Sequence, residues 1–271
     1  MKIIKIIPII LSIVIIASPS ETISLEKKDA ILNKAINLYY GLNKSNIKWD
    51  IIGSSNNNNR LYSKHFGSGD KLILIIGGIH GDEPAGFISA LKLAQFLKRN
   101  PSTIHNRVII VPCINPDGLL KGTRVNARGV DINRNFPGTT WSSDFIKSYN
   151  NPGTHPASEP ETVALIKIIE KYKPNMIIQM HQPFNALYPS SNAPVELMYR
   201  MSELSELPVI DDIGYSTPGS LGNYIVSQEH EIIEITFELC EIDIEPEYYK
   251  IVAALFTAIN YHSLDLSLTH L

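Results

Sequence analysis

Apolar runs and amphipathic segments alternate along most of this 271-residue chain. Four apolar runs have the length and β-branched content of buried strands: "KLILIIGGI", "NRVIIVPCIN", "PNMIIQMH" and "EIIEITFELC". Three segments between or after them have apolar residues at helical spacing: "EPAGFISALKLAQFLKRN", "SEPETVALIKIIEKYK" and "EYYKIVAALFTAINYH". Continuous apolar strands are typical of sheets covered on both faces. The pattern predicts an α/β fold with a mixed, mostly parallel sheet and helices on both faces.

The segments before the first apolar strand predict a helix and a hairpin. "SLEKKDAILNKAINLYYGL" has helical spacing and ends at Gly41. "IKWDIIGSS" and "RLYSKHFGSG" predict two strands on either side of "SSNNNN", which has the composition of a solvated hairpin tip or loop.

A long polar stretch, rich in Gly and Asn, interrupts the alternation from about residue 119 to 157. The tetrapeptide "NPDG" just before it predicts a turn. Just after it, Ser158 and Glu161 have the spacing of a capping box and predict the start of a helix.

The N-terminus has the layout of a leader segment. Lys2 and Lys5 precede an apolar stretch up to Ala17, which small and polar residues follow. The stretch is shorter than the roughly 20 residues of a membrane-spanning helix, so an uncleaved anchor is the weaker alternative. We expect a signal peptide over residues 1–22, a catalytic domain over 23–271, a periplasmic or secreted location, and no stable membrane insertion after leader removal.

Composition and charge narrow the class of partner. The chain has 44% hydrophobic and 19% charged residues, which is a globular composition, and a formal net charge of −3. No basic run stands out, so no nucleic-acid partner is expected, and a peptide or small molecule is favoured. Cys113 and Cys240 lie in apolar runs where buried free thiols are expected. The cysteines therefore give no sign of export, and its prediction depends on the leader segment alone.

Polar side chains follow three of the predicted strands. His80 and Glu83 come after the first apolar run, His181 ends the third, and Glu238 lies near the end of the fourth. Ligand sites in such sheets lie at the carboxyl ends of the strands. Each residue has a simple alternative: His181 as a hydrogen-bonded rim residue, Glu83 as a carboxylate favoured by a helix N-terminus, Glu238 as an ion-pair partner. Their coincidence at one edge favours a metal site.

The residue types suit a catalytic zinc ion. Such a site takes three ligands from His and Asp or Glu and leaves a fourth position for water. His80, Glu83 and His181 supply that set, and Glu238 remains close but unligated as a proton acceptor and donor. Three glycines in this stretch predict that the backbone passes close to an ion or a substrate: Gly77, Gly78 and Gly81.

The order of these motifs resembles the zinc carboxypeptidase family, that is, the carboxypeptidase A-like metallopeptidases. "GGIHGDEPAG", "NPDG", "TRVNARGVDINRNF", "MHQP" and "ITFEL" follow one another with the family's rough spacing between about residues 50 and 262. The short middle segment most resembles the murein tripeptide amidases, which cut the γ-D-glutamyl to diaminopimelate bond. "HQP" departs from the family pattern after the third ligand.

The resemblance implies a role for each motif. His80, Glu83 and His181 bind Zn²⁺, and Glu238 is the general base and acid. Two neighbours in "DINRNF", Asn133 and Arg134, bind the terminal carboxylate of the substrate, for which a planar guanidinium is suited. Arg124 stabilises the oxyanion, with Arg128 as the alternative.

The remaining substrate contacts are less specific in sequence. Tyr215 resembles the substrate-capping tyrosine, although its spacing to the following "GS" differs by one residue. Leu221 lies near the specificity pocket, where "TPGSLGNY" supplies small and neutral groups, and Asn223 and Tyr224 offer hydrogen bonds. This neutral lining does not exclude diaminopimelate. Among the other histidines, His155 has a possible substrate contact, whereas the rest have no partner at ligand spacing: His65, His105, His230, His262 and His270.

The predicted function is an exported zinc-dependent peptidase or amidase that hydrolyses a terminal amide bond in cell-wall peptides, most specifically γ-D-glutamyl to diaminopimelate. A general carboxypeptidase acting on ordinary peptides, or an acyl-amino-acid deacylase, is the alternative within the same family. A catalytically inactive binding module is the third hypothesis, and the intact set of ligands and base argues against it.

Overall fold

A computed structural model describes residues 19–189, 193–228, 231–240 and 248–261. The helices in these residues are α1 (Pro19–Gly41), α2 (Pro84–Arg99), α3 (Pro116–Lys121), α4 (Pro160–Tyr172), α5 (Val195–Ser205), α6 (Leu221–Val226) and α7 (Tyr248–Ile259). The strands are β1 (Asp50–Ser54), β2 (Arg60–Phe66), β3 (Leu72–Ile76), β4 (Arg107–Val111), β5 (Met176–His181), β6 (Phe184–Pro189) and β7 (Ile233–Cys240).

The strands form one mixed sheet in the order β1-β2-β4-β3-β5-β7-β6. The four strands β4, β3, β5 and β7 are mutually parallel, whereas β1, β2 and β6 pair antiparallel with their neighbours. Helices α1, α2, α5 and α7 pack on one face, and α4 and α6 on the other. The predicted mixed sheet with helices on both faces is confirmed, with parallel pairing confined to its centre.

The continuous apolar strands are explained by the two cores. In β3, Ile73 and Ile75 pack into the core beneath α2 and α7, and Leu74 and Ile76 pack into the core beneath α4. All four side chains are fully buried. Each buried aliphatic side chain contributes about 1.5–3 kcal/mol to stability, so both faces of the strand have to be apolar.

The order of the strands determines where a site can form. Strand β3 lies between β4 and β5 in the sheet. After β3 the chain forms β4 on one side of it, and it later returns to form β5 on the other side. A crevice opens beyond the carboxyl ends of strands where the chain reverses in this way. In the next pairing, β5 with β7, His181 and Glu238 are directly opposite each other. The fold therefore brings the ends of β3, β5 and β7 to one place.

Two local predictions were wrong. "NPDG" is the start of helix α3, because Asn115 caps that helix by accepting a hydrogen bond from the Gly118 amide at 2.9 Å. The capping box does not form: the Ser158 hydroxyl donates to the Glu159 carboxylate at 2.8 Å, and Glu161 is buried. Strand β6 and helices α5 and α6 were also not predicted. Strand β6 and helix α6 are only six residues long, which is too short for a clear periodic pattern, whereas α5 is amphipathic and was overlooked.

The Asn-rich segment is the predicted tip of the β1–β2 hairpin, with Asn57 and Asn58 exposed, and its other asparagines anchor it to buried carboxylates. The Asn56 amide donates to Glu159 Oε2 at 3.0 Å, and the Asn59 amide donates to Asp117 Oδ1 at 2.7 Å. Both carboxylates are buried, as is Glu161 beside them. Asparagine side chains therefore satisfy carboxylates that no water can reach.

Residues 1–18, which hold most of the predicted leader, lie outside the described residues. Three of the histidines also lie outside them: His230, His262 and His270. The last four residues of the expected leader, 19–22, belong to α1. No helix in the portion of the chain described above is both long and apolar enough to span a bilayer. Both cysteines are free; Cys113 is buried as expected, and Cys240 is only half-buried.

Glu161 predicts a pH dependence of stability. Burial raises the pKa of Glu161 from 4.5 to about 7, so the folded chain holds this proton more tightly than the unfolded chain. The stability that this group contributes is present below pH 4.5 and is lost as the pH rises through about 7, amounting to about 1–3 kcal/mol. We expect Glu161→Gln, which is neutral throughout, to retain that stability at pH 8.

Thermal unfolding of both proteins at several pH values between 4.5 and 8 checks this prediction. Glu170→Gln is the matched control, because Glu170 is exposed on the same helix. An unchanged difference in unfolding temperature between Glu161→Gln and the native chain across this range contradicts it.

Candidate active site

Three potential metal ligands converge at the ends of β3 and β5. His80 Nδ1 lies 2.9 Å from Glu83 Oε1, and His181 Nδ1 lies 2.9 Å from Glu83 Oε2. The two Nδ1 atoms are 3.0 Å apart. One donor atom from each residue lies within 4.8 Å of the others, and all three residues are buried. The structure thus brings together the three ligands predicted from sequence.

The outer nitrogens of both rings are held by polar partners, which makes the donor set fit a cation. His80 Nε2 lies 3.0 Å from Asp131 Oδ1, and His181 Nε2 lies 3.1 Å from Gln179 Oε1. Donation of Nε2–H to these oxygens leaves both Nδ1 lone pairs facing each other and the Glu83 carboxylate. Three acceptors that face one another without a proton between them need a cation, and two histidines with a glutamate suit zinc.

The electrostatics of the cluster favour positive charge at its centre. Although burial lowers the pKa of His80, Glu83 and Asp131 outweigh it and raise that pKa to about 9. Burial raises the pKa of Glu83, yet His80 and His181 hold it well below its usual value. The pKa of Asp131 is likewise lowered, because His80 and Arg124 outweigh the effect of burial. Both carboxylates are therefore ionised at neutral pH.

Glu83 occupies the N-cap position of α2 without capping it. Its side chain makes no cap hydrogen bond; instead the Gln182 side-chain oxygen accepts from the Ala85 amide at 2.9 Å. The backbone N–H of Gln182 in turn donates to Glu83 Oε2 at 3.2 Å. The glutamine of the divergent "HQP" segment thus takes over the capping, and the Glu83 carboxylate faces the histidines.

The glycines before Glu83 are explained by backbone packing. Gly78 has a φ of 58°, a conformation that glycine adopts without strain. A Cβ on Gly81 would lie 1.9 Å from the carbonyl carbon of Gly118 in α3. In Gly81 at least, the close approach is to protein backbone, and not to an ion or a substrate as predicted.

Glu238 lies beside the ligands without joining them. Its side chain is buried on β7, and its Oε2 has no hydrogen-bond partner among the described residues. Burial and the negative charge of Glu83 raise its pKa, against the opposing effect of His181. A carboxylate with a raised pKa next to a metal site is suited to accept and donate a proton.

Of the two candidate oxyanion residues, only Arg124 reaches the site. Its Nη1 lies 3.1 Å from Glu83 Oε1, and its Nε lies 3.1 Å from Asp131 Oδ2. Arg128 is half exposed and lies 3.6 Å from Glu159, outside the cavity. The side chain of Arg124 is therefore fixed beside the ligands by two carboxylates.

Asn133 and Arg134 lie on the wall of the same cavity. Asn133 Nδ2 is 3.3 Å from His181 Nε2, and Arg134 donates to the Asn133 carbonyl at 2.7 Å. Arg134 also hydrogen-bonds to the hydroxyl of Tyr215, which is half exposed at the mouth. The predicted carboxylate-binding pair and the capping tyrosine are thus adjacent.

Leu221 does not line the cavity, contrary to expectation. Its side chain is fully buried in the core beneath α4 and α6, and only its backbone amide approaches the site, donating to Asn133 Oδ1 at 2.8 Å. Tyr224 stacks on Phe136 in that core, with ring centroids 5.7 Å apart. His155 does not line the cavity either; it is exposed, and its Nδ1 lies 2.9 Å from the Pro156 carbonyl oxygen.

The cavity that joins these groups has a volume of about 300 Å³. The small and neutral groups predicted from "TPGSLGNY" do line it, namely Thr217, Ser220, Gly222 and Asn223. Its floor is formed by Gln179, Glu234 and Thr236, and the charged Glu234 was not predicted. Sequence reasoning missed Glu234 and Gln179, although both lie on the same strand faces as Glu238 and His181 at even spacing. Asp131 was missed as the partner of His80, although it belongs to the quoted "DINRNF" motif.

Known proteins resemble this chain in sequence and in fold. The family model for zinc carboxypeptidase matches residues 41–210. Murein peptide amidase A of Escherichia coli K12 is 31% identical over 203 residues, which cover 71% of this chain and 81% of that protein. The human carboxypeptidase N catalytic chain is 30% identical over 167 residues, which cover 48% and 36%.

Among solved structures, the murein-tripeptide amidase MpaA from Escherichia coli O157 is similar with a TM-score of 0.67 and 28% identity, covering 79% of this chain and 92% of that one. The sheet, the three converging ligands and these matches lead to one conclusion. The chain belongs to the zinc carboxypeptidase family.

Proposed function

We propose that this protein is an exported, zinc-dependent amidase that cuts a terminal amide bond in cell-wall peptides, namely the bond from γ-D-glutamyl to diaminopimelate. The observation that carries the proposal is the convergence of His80, Glu83 and His181 beside Glu238 in a cavity that also contains Arg134. The similarity to murein peptide amidase A supports the choice of bond.

His80, Glu83 and His181 hold the zinc ion in this proposal. Bound zinc supplies Lewis-acid chemistry, which activates water and polarises a carbonyl oxygen. Glu238 takes the proton from the attacking water and delivers it to the leaving nitrogen, as its raised pKa allows. Arg124 lies close enough to Glu83 to stabilise negative charge on the carbonyl oxygen as it develops.

Arg134 and Asn133 bind the free carboxylate of the leaving residue. Arg134 is buried, so its charge is only weakly screened, and its guanidinium suits bidentate pairing with a carboxylate. Tyr215 contacts Arg134 from the mouth of the cavity and closes over the bound residue. This arrangement selects terminal residues over internal bonds.

A general carboxypeptidase or acyl-amino-acid deacylase is the second candidate, favoured by the similarity to the carboxypeptidase N catalytic chain. An inactive binding module is disfavoured because all three ligands and Glu238 are present. Digests of defined muropeptides and of ordinary peptides, followed by mass spectrometry with and without a chelator, separate these functions. Intact muropeptides alongside trimmed ordinary peptides contradict the cell-wall function.

The assignment of ligands and base predicts opposite metal contents for two kinds of variant. His80→Ala or His181→Ala removes a ligand and is expected to lose both zinc and activity. Glu238→Gln is expected to keep zinc and to lose at least about 100-fold in kcat, because the base is not a ligand. Elemental analysis of the purified proteins with kinetics checks both, and zinc lost from Glu238→Gln but kept in His181→Ala reverses the assignment.

The role of Arg134 predicts a large effect of its removal. Arg134→Ala is expected to lower kcat/KM by roughly 100-fold, because the carboxylate of the leaving residue then has no charged partner. Arg128→Ala is the matched control, since Arg128 lies outside the cavity. Comparing free-acid substrates with their C-terminal amides checks the cause. A native enzyme that cleaves both equally well disproves this role.

The leader predicts the N-terminus of the mature protein. Cleavage is expected between about Ser18 and Ser24, with the enzyme recovered in the soluble periplasmic or secreted fraction. Intact-mass measurement of protein purified after expression of the full chain checks it. A full-length, membrane-bound species supports the anchor alternative.

A further inference from the structure

Gln182 directly follows His181 and joins three parts of the molecule by hydrogen bonds. Its side-chain oxygen accepts from the Ala85 amide in the first turn of α2 at 2.9 Å. Its side-chain Nε2 donates to the Cys240 carbonyl at the end of β7 at 2.7 Å. Its backbone N–H donates to Glu83 Oε2 at 3.2 Å. No step of the proposed reaction uses this side chain.

The start of α2 needs a hydrogen-bond acceptor from outside the helix. The N–H groups in the first turn of a helix have no acceptor within that helix. Pro84 occupies the first position of α2 and has no N–H, so Ala85 supplies the first such donor. Ala85 is buried, and a buried N–H without an acceptor destabilises the fold. The acceptor has to come from the N-cap residue or from another part of the chain.

Glu83 is the N-cap residue of α2, and its carboxylate cannot serve the helix and a metal ion at once. A side chain at this position ordinarily accepts from the second or third N–H of the helix, and the helix dipole favours a negative charge there. The two carboxylate oxygens instead lie 2.9 Å from His80 Nδ1 and 2.9 Å from His181 Nδ1. A carboxylate that turned back to cap the helix would lose these contacts.

We propose that Gln182 is a positioning residue, which keeps Glu83 available as a metal ligand by capping α2 in its place. Because Gln182 already accepts from the Ala85 N–H, the start of α2 does not draw the Glu83 carboxylate away from the two histidines. This inference rests on the proposed function, since it requires Glu83 to bind the zinc ion. It predicts an effect on zinc affinity in the absence of any substrate.

A second bond of the same side chain allows a competing role. The bond from Gln182 Nε2 to the Cys240 carbonyl joins the ends of β5 and β7, and Glu238 lies two residues before Cys240. Loss of that bond would disturb His181 and Glu238 whether or not Glu83 moved. The two roles therefore differ in whether the effect of Gln182 depends on Glu83.

The experiment is a double-mutant cycle that measures the zinc dissociation constant of the full chain by competition with a chelator. Gln182→Met keeps the length of the side chain and removes both its acceptor and its donor. In the native background it is expected to weaken zinc binding by roughly 10- to 100-fold, the usual effect of removing a residue that orients a ligand. In the Glu83→Ala background it is expected to change the constant by no more than about twofold, because no carboxylate is left to turn.

Two further variants separate the roles and provide the control. Gln182→Glu keeps an oxygen for the Ala85 N–H and loses the donor to Cys240, so zinc binding is expected to stay within a few-fold of native. The same change in the Glu83→Ala background measures the effect of the added negative charge alone. Gln95→Met, an identical substitution near the other end of α2, is the matched control and keeps the native constant.

Three results overturn the inference: native zinc affinity in Gln182→Met, the same loss in both backgrounds, or an equal loss in Gln182→Glu. If Gln182→Met does not fold, Gln182→Glu decides, and a tenfold loss after the charge effect is subtracted overturns the inference. Weaker zinc binding in Glu83→Ala with no effect of Gln182→Met refutes the inference alone. Native zinc affinity in Glu83→Ala refutes the ligand set of the proposed function, and the inference falls with it.

Discussion

The structure depends on holding three hydrogen-bond acceptors, two imidazole nitrogens and one carboxylate, face to face in a buried pocket. The Nδ1 atoms of His80 and His181 are 3.0 Å apart, and each lies 2.9 Å from the Glu83 carboxylate. Acceptors at such distances repel one another unless a cation lies between them, so the chain has to force them together. Asp131 and Gln179 do this by binding the outer ring nitrogens.

Two carboxylates in this pocket differ because their surroundings differ. Burial raises the pKa of Glu83, but the two imidazole rings that it faces hold that pKa well below the usual value, and Arg124 pairs with the same carboxylate. Glu238 is buried with fewer partners, and its pKa is raised. Two carboxyl groups whose surroundings shift their pKa values in opposite directions are suited to different chemical roles. One is suited to hold a metal ion, and the other to exchange a proton.

The long polar segment between α3 and α4 is ordered by side-chain hydrogen bonds in place of regular secondary structure. The Asn135 amide donates to the Pro152 carbonyl at 2.7 Å and to the Ser158 hydroxyl at 2.9 Å. The Asn126 amide donates to the buried Glu159 at 2.8 Å. Because this segment carries Arg124, Asp131, Asn133 and Arg134, its asparagines fix the geometry of the wall opposite the sheet.

The sequence by itself determined the apolar strands and the main helices, and it singled out four residues that the structure brings to one site. The spacing of apolar residues within one segment indicates which of its side chains are buried. The four polar residues stand out because each follows or ends an apolar run: His80, Glu83, His181 and Glu238. Only the tertiary structure decided which polar groups face one another. The placement of Leu221 in the core, Arg124 at the metal site and Glu234 in the cavity floor depends on strand order and register, which bring together residues far apart in the chain.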